Sequence, residues 1–212
     1  MNLKGKKINF LGDSITEGVG TSAPENRYVD VCARLLELRE AKNYGISGTR
    51  LARQTIPTVN NPRFDLDFCS RVMEMDADAD VVVVFGGTND FGHGDAQIGK
   101  MSDRTDNSFY GACHTLMQSL RCRFINSEIV IMTPLHRLYE EQEGKAPLST
   151  YVNIIREVAE YYSLPVLDLY ALSGINPVIP EVMEKYMPDG LHPNDAGAEI
   201  VAKRLASFLK AL

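Results

Sequence analysis

The stretch "DVVVVFGGTND", Asp80–Asp90, decides how the rest of the chain is read. Val81–Phe85 is continuously apolar, the pattern of a strand buried on both faces, and two glycines stop it before a polar Thr-Asn-Asp. "IVIM" at Ile129–Met132 has the same character. Working outward, the spacing predicts strands at Lys7–Leu11, Ala41–Gly45, Asp80–Phe85, Glu128–Thr133 and Pro165–Asp168. Helix-period stretches lie between and after them. Val29, Cys32, Ala33 and Leu36 share a face, as do Phe109, Cys113, Leu116 and Leu120. Leu148, Val152, Ile155 and Ala159 form a third face, and Val201, Leu205, Phe208 and Leu212 a fourth, with Asn194 as the N-cap and Asp195 in the first turn. Strands alternating with helices imply a parallel sheet of about five strands, covered by helices on both sides. Parallel strands bring their C-terminal ends to one edge, where such sheets bind ligands.

The totals narrow the class. A chain of 212 residues, 44% hydrophobic and 24% charged, suits one domain spanning residues 1–212 with a substantial core. A net charge of −6 without a Lys/Arg run argues against nucleic-acid or anionic-membrane partners. "MNLKGKKINFLGD" reads as a first strand rather than a signal peptide, and no stretch is long and apolar enough for a bilayer span. Cys32, Cys69, Cys113 and Cys122 include no C-x-x-C pair, so free thiols and a cytoplasmic location are expected. Cys32 and Cys113 fall on apolar helix faces and read as core.

The strand ends carry the chemistry. Gly12-Asp13-Ser14 follows the first strand, "NYGISGTR" overlaps and follows the second, and "GGTND" follows the third. Beyond the last comes "PDGLHPND", with Asp189 and His192 three residues apart. A serine hydroxyl becomes a nucleophile when a base takes its proton, and histidine suits that task near neutral pH. The base needs a carboxylate on its other nitrogen, and the tetrahedral intermediate needs preorganised donors. The N–H groups of Ser14 and Gly48 and the side-chain amide of Asn89 can supply them. The inventory matches acyl transfer.

These residues resemble the GDSL-type, or SGNH, hydrolase family of flavodoxin-like three-layer α/β/α esterases and lipases. "GDSIT" is similar to its first block, with Ser14 at the nucleophile and Ile15 replacing the eponymous leucine. Gly48 matches the oxyanion glycine of the second block, Asn89 of "GTND" the third, and Asp189 and His192 of "DGLH" the last. The resemblance implies a cofactor-free, metal-free serine esterase. Its candidate substrates are esters of lipids, thioesters or acetylated sugars. Oligomeric state stays open.

Other readings are weaker. Ser14 alone would pass as a helix cap. Asp13 reads as a turn-holding residue or as part of a substrate pocket, and His93 as a pocket or solvated loop residue. Of Asn89 and Asp90, context lifts only Asn89. His114 and His136 show no evident carboxylate partner, and no metal-ligand spacing occurs. "GVGTSA" at Gly18–Ala23 fits a dinucleotide fingerprint, but "GDSITE" separates it from the strand and Pro24 follows. A lipase or thioesterase for longer acyl chains, or a non-catalytic binding module on the same fold, are the alternatives. Gly92–Ser108 and Pro134–Pro147 read as the two longest loops at the strand ends. Their few apolar residues, Ala96, Ile98, Met101, Leu135, Leu138 and Tyr139, point to short acyl groups.

Overall fold

The computed structural model describes all 212 residues. In chain order the elements are β1 (Lys7–Gly12), α1 (Ser14–Glu17), α2 (Tyr28–Leu36), β2 (Glu40–Gly45), α3 (Phe68–Arg71), β3 (Val81–Phe85) and α4 (Thr88–His93). Then come α5 (Phe109–Arg123), β4 (Glu128–Met132), α6 (Leu148–Tyr161), β5 (Val166–Leu167), α7 (Leu169–Leu172), α8 (Pro180–Tyr186) and α9 (Asp195–Ala211). All strand pairs are parallel, in the order β2-β1-β3-β4-β5 of flavodoxin-like folds.

Alternate residues of the inner strands feed two cores. Val82, Val84, Ile129 and Ile131 face Phe109, Leu116, Leu120, Val152 and Ile155 of α5 and α6. Val81, Val83, Phe85, Val130 and Met132 face Val29, Cys32 and Leu36 of α2 and Val201 and Leu205 of α9. This explains the unbroken apolar run of β3, since a polar residue there would be buried on one side or the other. On the last helix Leu209 takes the buried position expected of Leu212, which lies past the final turn and is exposed. No helix is long and apolar enough to cross a membrane.

The loop reading needs one correction. The connection from β2 to α3, residues 46–67, contains only one short helical turn, Pro62–Asp65, and is longer than either loop singled out above. It borders the strand ends.

The order reverses direction between β1, which continues outward to β2, and β3, which returns to the other side of β1. Such a switch point leaves a crevice above the strand ends. Ser14 and Asn89 stand there, just beyond neighbouring strands.

Candidate active site

The nucleophile's turn is built from beneath. Gly12 closes β1 so tightly that any side chain would strike Thr16 and the carbonyl of Phe85, so only glycine fits. The Oδ1 of Asp13 accepts from the Ile15 N–H at 3.0 Å and caps α1, leaving Ser14 as its first residue. Thr16 Oγ1 bonds the buried Tyr28 hydroxyl at 2.9 Å, and the Tyr28 ring meets Phe10 and Phe85 edge-on. Asp13 is therefore a buried cap, 1% exposed, and offers no pocket wall. Burial pushes its pKa up to about 7, against the Ile15 N–H and the charge of Arg71.

The opposite wall is the turn Asp189–His192. Asp189 Oδ1 accepts from the N–H groups of Leu191 at 2.9 Å and His192 at 2.7 Å. Its Oδ2 lies 2.6 Å from His192 Nδ1, so the proton sits on Nδ1. That leaves Nε2 as the acceptor, 3.0 Å from Ser14 Oγ. Partial burial opposes the charge of Asp189, but the bonds from His192 and Leu191 outweigh it and hold its pKa below the ordinary value. Asn194 accepts from Gly197 N–H and caps α9 directly behind the histidine. Asp195 then ties residues Ser22 and Asn26 to this helix.

Between these walls lie the oxyanion donors. Gly48 has φ +76°, and a β-carbon there would come within 2.6 Å of the Phe64 ring, so glycine answers both conformation and space. Its N–H donates to no acceptor in the protein. The Asn89 amide donates once, to the Thr49 carbonyl at 3.0 Å, and keeps its second N–H free. The Ser14 N–H heads the adjacent turn.

Sequence reasoning missed the residues that hold this set in place. Asp90 is buried and accepts from the N–H groups of Leu51 and Ala52, at 3.0 and 2.9 Å, anchoring the loop after Gly48. Burial raises its pKa to about 6 despite those bonds. Arg71, 2% exposed, donates to the Gly12 and Tyr44 carbonyls and to Thr49 Oγ1, joining the ends of β1 and β2 to the same loop. Glu17 receives both the N–H and the hydroxyl of Ser47, which removes Ser47 as a rival nucleophile. None carries a local sequence signal, because each acts on a partner distant in the chain.

Two histidines need comment. His93 accepts at Nδ1 from Arg50 Nη1 at 2.8 Å, one turn beyond Asn89 on α4. His136 does have a carboxylate, contrary to the expectation: Glu140 Oε1 lies 2.7 Å from Nδ1, and the Tyr170 hydroxyl donates to the other oxygen. The bend that brings residue 140 back to 136 has no local signature in the sequence.

Comparison with known proteins gives the family and the fold. The sequence model of the GDSL-like Lipase/Acylhydrolase family matches residues 10–200. No curated protein matches the chain. One solved structure, 34% identical, aligns over 100% of this chain and 99% of its own with a TM-score of 0.88. A Lactobacillus plantarum protein is 28% identical over 99% and 98%, with a TM-score of 0.87. The lipase/acylhydrolase from Enterococcus faecalis, 21% identical over 97% and 96% with a TM-score of 0.65, shares the fold.

Proposed function

The chain belongs to the GDSL-like lipase/acylhydrolase family, and we propose that it hydrolyses short-acyl carboxylic esters through a serine acyl-enzyme. The observation that carries the reading is the continuous line from Ser14 Oγ to His192 Nε2 and from His192 Nδ1 to Asp189, at 3.0 and 2.6 Å. Ser14 attacks the ester carbonyl while His192 takes its proton, and Asp189 stabilises the imidazolium. The negative charge growing on the carbonyl oxygen is met by the N–H groups of Ser14 and Gly48 and the spare N–H of Asn89. His192 returns the proton to the departing alcohol, and water repeats the sequence on the acyl-enzyme.

The surroundings support a small acyl group. Ala96, Ile98 and Met101 are turned onto the core and Leu135 is buried, so these loops leave little more than Leu138, packed on Gly190, and the exposed Tyr139 for a long chain. Acetylated carbohydrate fits the polar loops as a natural substrate class. One observation favours the longer-chain reading. Ile56 and Val59 stand exposed on the β2–α3 loop, whose Phe64 packs over Gly48. Measuring kcat/KM for p-nitrophenyl esters of two to twelve carbons, below micelle-forming concentrations, decides between them. We expect a maximum at acetyl to butyryl; a steady climb to the longest chain would install the lipase reading. A long chain gains about 0.8 kcal/mol for each CH₂ buried, so a real trench would be unmistakable.

A further inference from the structure

Neighbouring strands deliver Gly48, Ser14, Asn89 and Arg137, in that spatial order, to the C-terminal edge of the sheet. The first three serve the reaction above, while Arg137, in the loop after β4, has no part in it. Its Nη1 donates to the carbonyl and the hydroxyl of Thr88, each at 3.2 Å, which holds the guanidinium one residue from Asn89. The group lies 5.5 Å over the Phe91 ring and fills the space that Gly92 leaves on α4. The next residue, Leu138, donates its N–H to the Gly190 carbonyl at 2.8 Å. The loop thus bridges α4 and the turn that carries Asp189 and His192.

Arg137 is a cation with bonding capacity to spare. No carboxylate of the protein pairs with it, although Glu140, Asp13 and Asp189 act on its charge from farther off. Nη2 makes no bond in the protein and remains open to solvent, while Nε is enclosed. A partly buried, ion-pair-free guanidinium is the side chain suited to gripping a carboxylate. A second donor stands on α4. His93 accepts from Arg50 at Nδ1, so its Nε2 carries the proton and is a donor. Arg50, Arg137 and Lys145 all act on that one ring. Of the two guanidiniums, Arg50 is paired with Asp65 at 3.3 Å, whereas Arg137 has no carboxylate partner.

We propose that Arg137, assisted by the Nε2–H of His93, is the subsite for a carboxylate carried by the ester substrate. The proposal rests on the hydrolase reading above and narrows its substrate class to acidic esters. The carboxylate can belong to the acyl part, as in a dicarboxylic half-ester, or to the alcohol part, as in an acetylated sugar acid. Isosteric pairs separate the two sources: monophenyl glutarate against its terminal amide, phenyl 4-carbamoylbutanoate, for the acyl side, and 3-acetoxybenzoate against 3-acetoxybenzamide for the alcohol side. A charge-assisted bond makes the charged member better by about tenfold or more in kcat/KM for one pair. In Arg137→Gln that ratio should collapse toward one, and Arg137→Lys should restore part of it. A parent chain with no preference in either pair, or an Arg137→Gln variant that slows both members equally, overturns the subsite and leaves Arg137 a support for Thr88 and Asn89. Calorimetry on Ser14→Ala with the acetoxy pair reads binding without turnover. Tighter binding of 3-acetoxybenzoate there, alongside a parent chain that cleaves no ester, would keep the anion site and sink the hydrolase reading. With the acyl pair also showing no preference in turnover, equal binding would sink the site.

Discussion

The two ends of the β-sheet treat charge in opposite ways. At the N-terminal edge the Lys7 ammonium, its side chain 5% accessible, contacts Asp76, Asp78 and Glu40 at 2.8, 2.7 and 3.3 Å. Lys6 pairs with Asp80, which also accepts the Lys7 N–H. The charged groups there are answered within the protein. At the C-terminal edge the N–H of Gly48, one N–H of Asn89 and Nη2 of Arg137 are left without acceptors, and the carboxyls of Asp13 and Asp90 are buried at a cost in free energy. The first arrangement holds strands together. The second keeps donors ready for a charge that arrives with the substrate, which is how preorganised sites lower a barrier.

The strongest way to break this contrast is Ser14→Ala. Asp13, not Ser14, supplies the cap, so the fold should persist while turnover falls on the order of 10⁴–10⁶-fold. Thermal melting and ester assays check the two halves, and a serine-directed fluorophosphonate should label the parent chain at Ser14. Labelling at Ser47 would overturn the assignment. Next in size is Asn89→Ala, which removes a donor used mainly in the transition state. We expect kcat to fall about 10²–10³-fold with KM little changed. A variant that mainly raises KM would make Asn89 a ground-state binding residue.

What the sequence disclosed follows the same division. β3 and β4 were legible because burial on both faces demands an unbroken apolar run. The blocks holding Ser14, Gly48, Asn89, Asp189 and His192 were legible because each sits directly after a strand or beside its partner in the chain. β5 was overdrawn: Pro165 has no N–H to give the ladder, and Asp168 turns away to accept from the Ala171 N–H and cap α7. Asp13 was legible as the residue that holds the turn, because its partner Ile15 is two residues away. Asp90, Arg71 and Arg137 were illegible in their actual roles, since an Asp or Arg in a turn looks the same whether it meets water or a distant backbone. Their function lies in contacts across 22 to 59 residues, as between Arg71 and Thr49 or Arg71 and Gly12.

A third test uses the buried acid. Because burial raises the folded pKa of Asp13 to about 7, the folded chain keeps a proton there that the unfolded chain has already lost. Between about pH 4 and 7 the folded state binds more protons at this site, so its contribution to stability is complete at low pH and drains away as pH rises. The greatest slope is about 1.4 kcal/mol per pH unit. Asp13→Asn keeps an oxygen for the Ile15 N–H and cannot titrate. Urea unfolding from pH 4 to 8 should show the variant gaining on the parent up to about pH 7 and then running parallel. A gap that stays constant across the range would mean that Asp13 is ionised in the folded chain throughout.

The smallest effect belongs to the N-terminal edge, and its sign is reversed. Hydrogen bonds from Lys7 and Lys42 depress Asp76 to about 2, so between about pH 4 and 2 the unfolded chain binds the proton more readily than the folded one. Stability from this group is present above pH 4 and is lost as acid protonates it. Asp76 and Asp78 remain 37% and 68% accessible, so solvent screens the ion pairs and limits their worth. Lys7→Met should therefore lower the melting temperature by only a few degrees at pH 7, on the usual scale for a domain of this size. It should also flatten the loss of stability between pH 4 and 2, since Lys42 alone would then hold Asp76 down. Ester turnover at 25 °C should stay unchanged, because Lys7 stands at the far end of β1 from Ser14. A fall in kcat without a fall in melting temperature would show that the two edges are coupled through β1, and the division between a stabilising end and a reactive end would have to be abandoned.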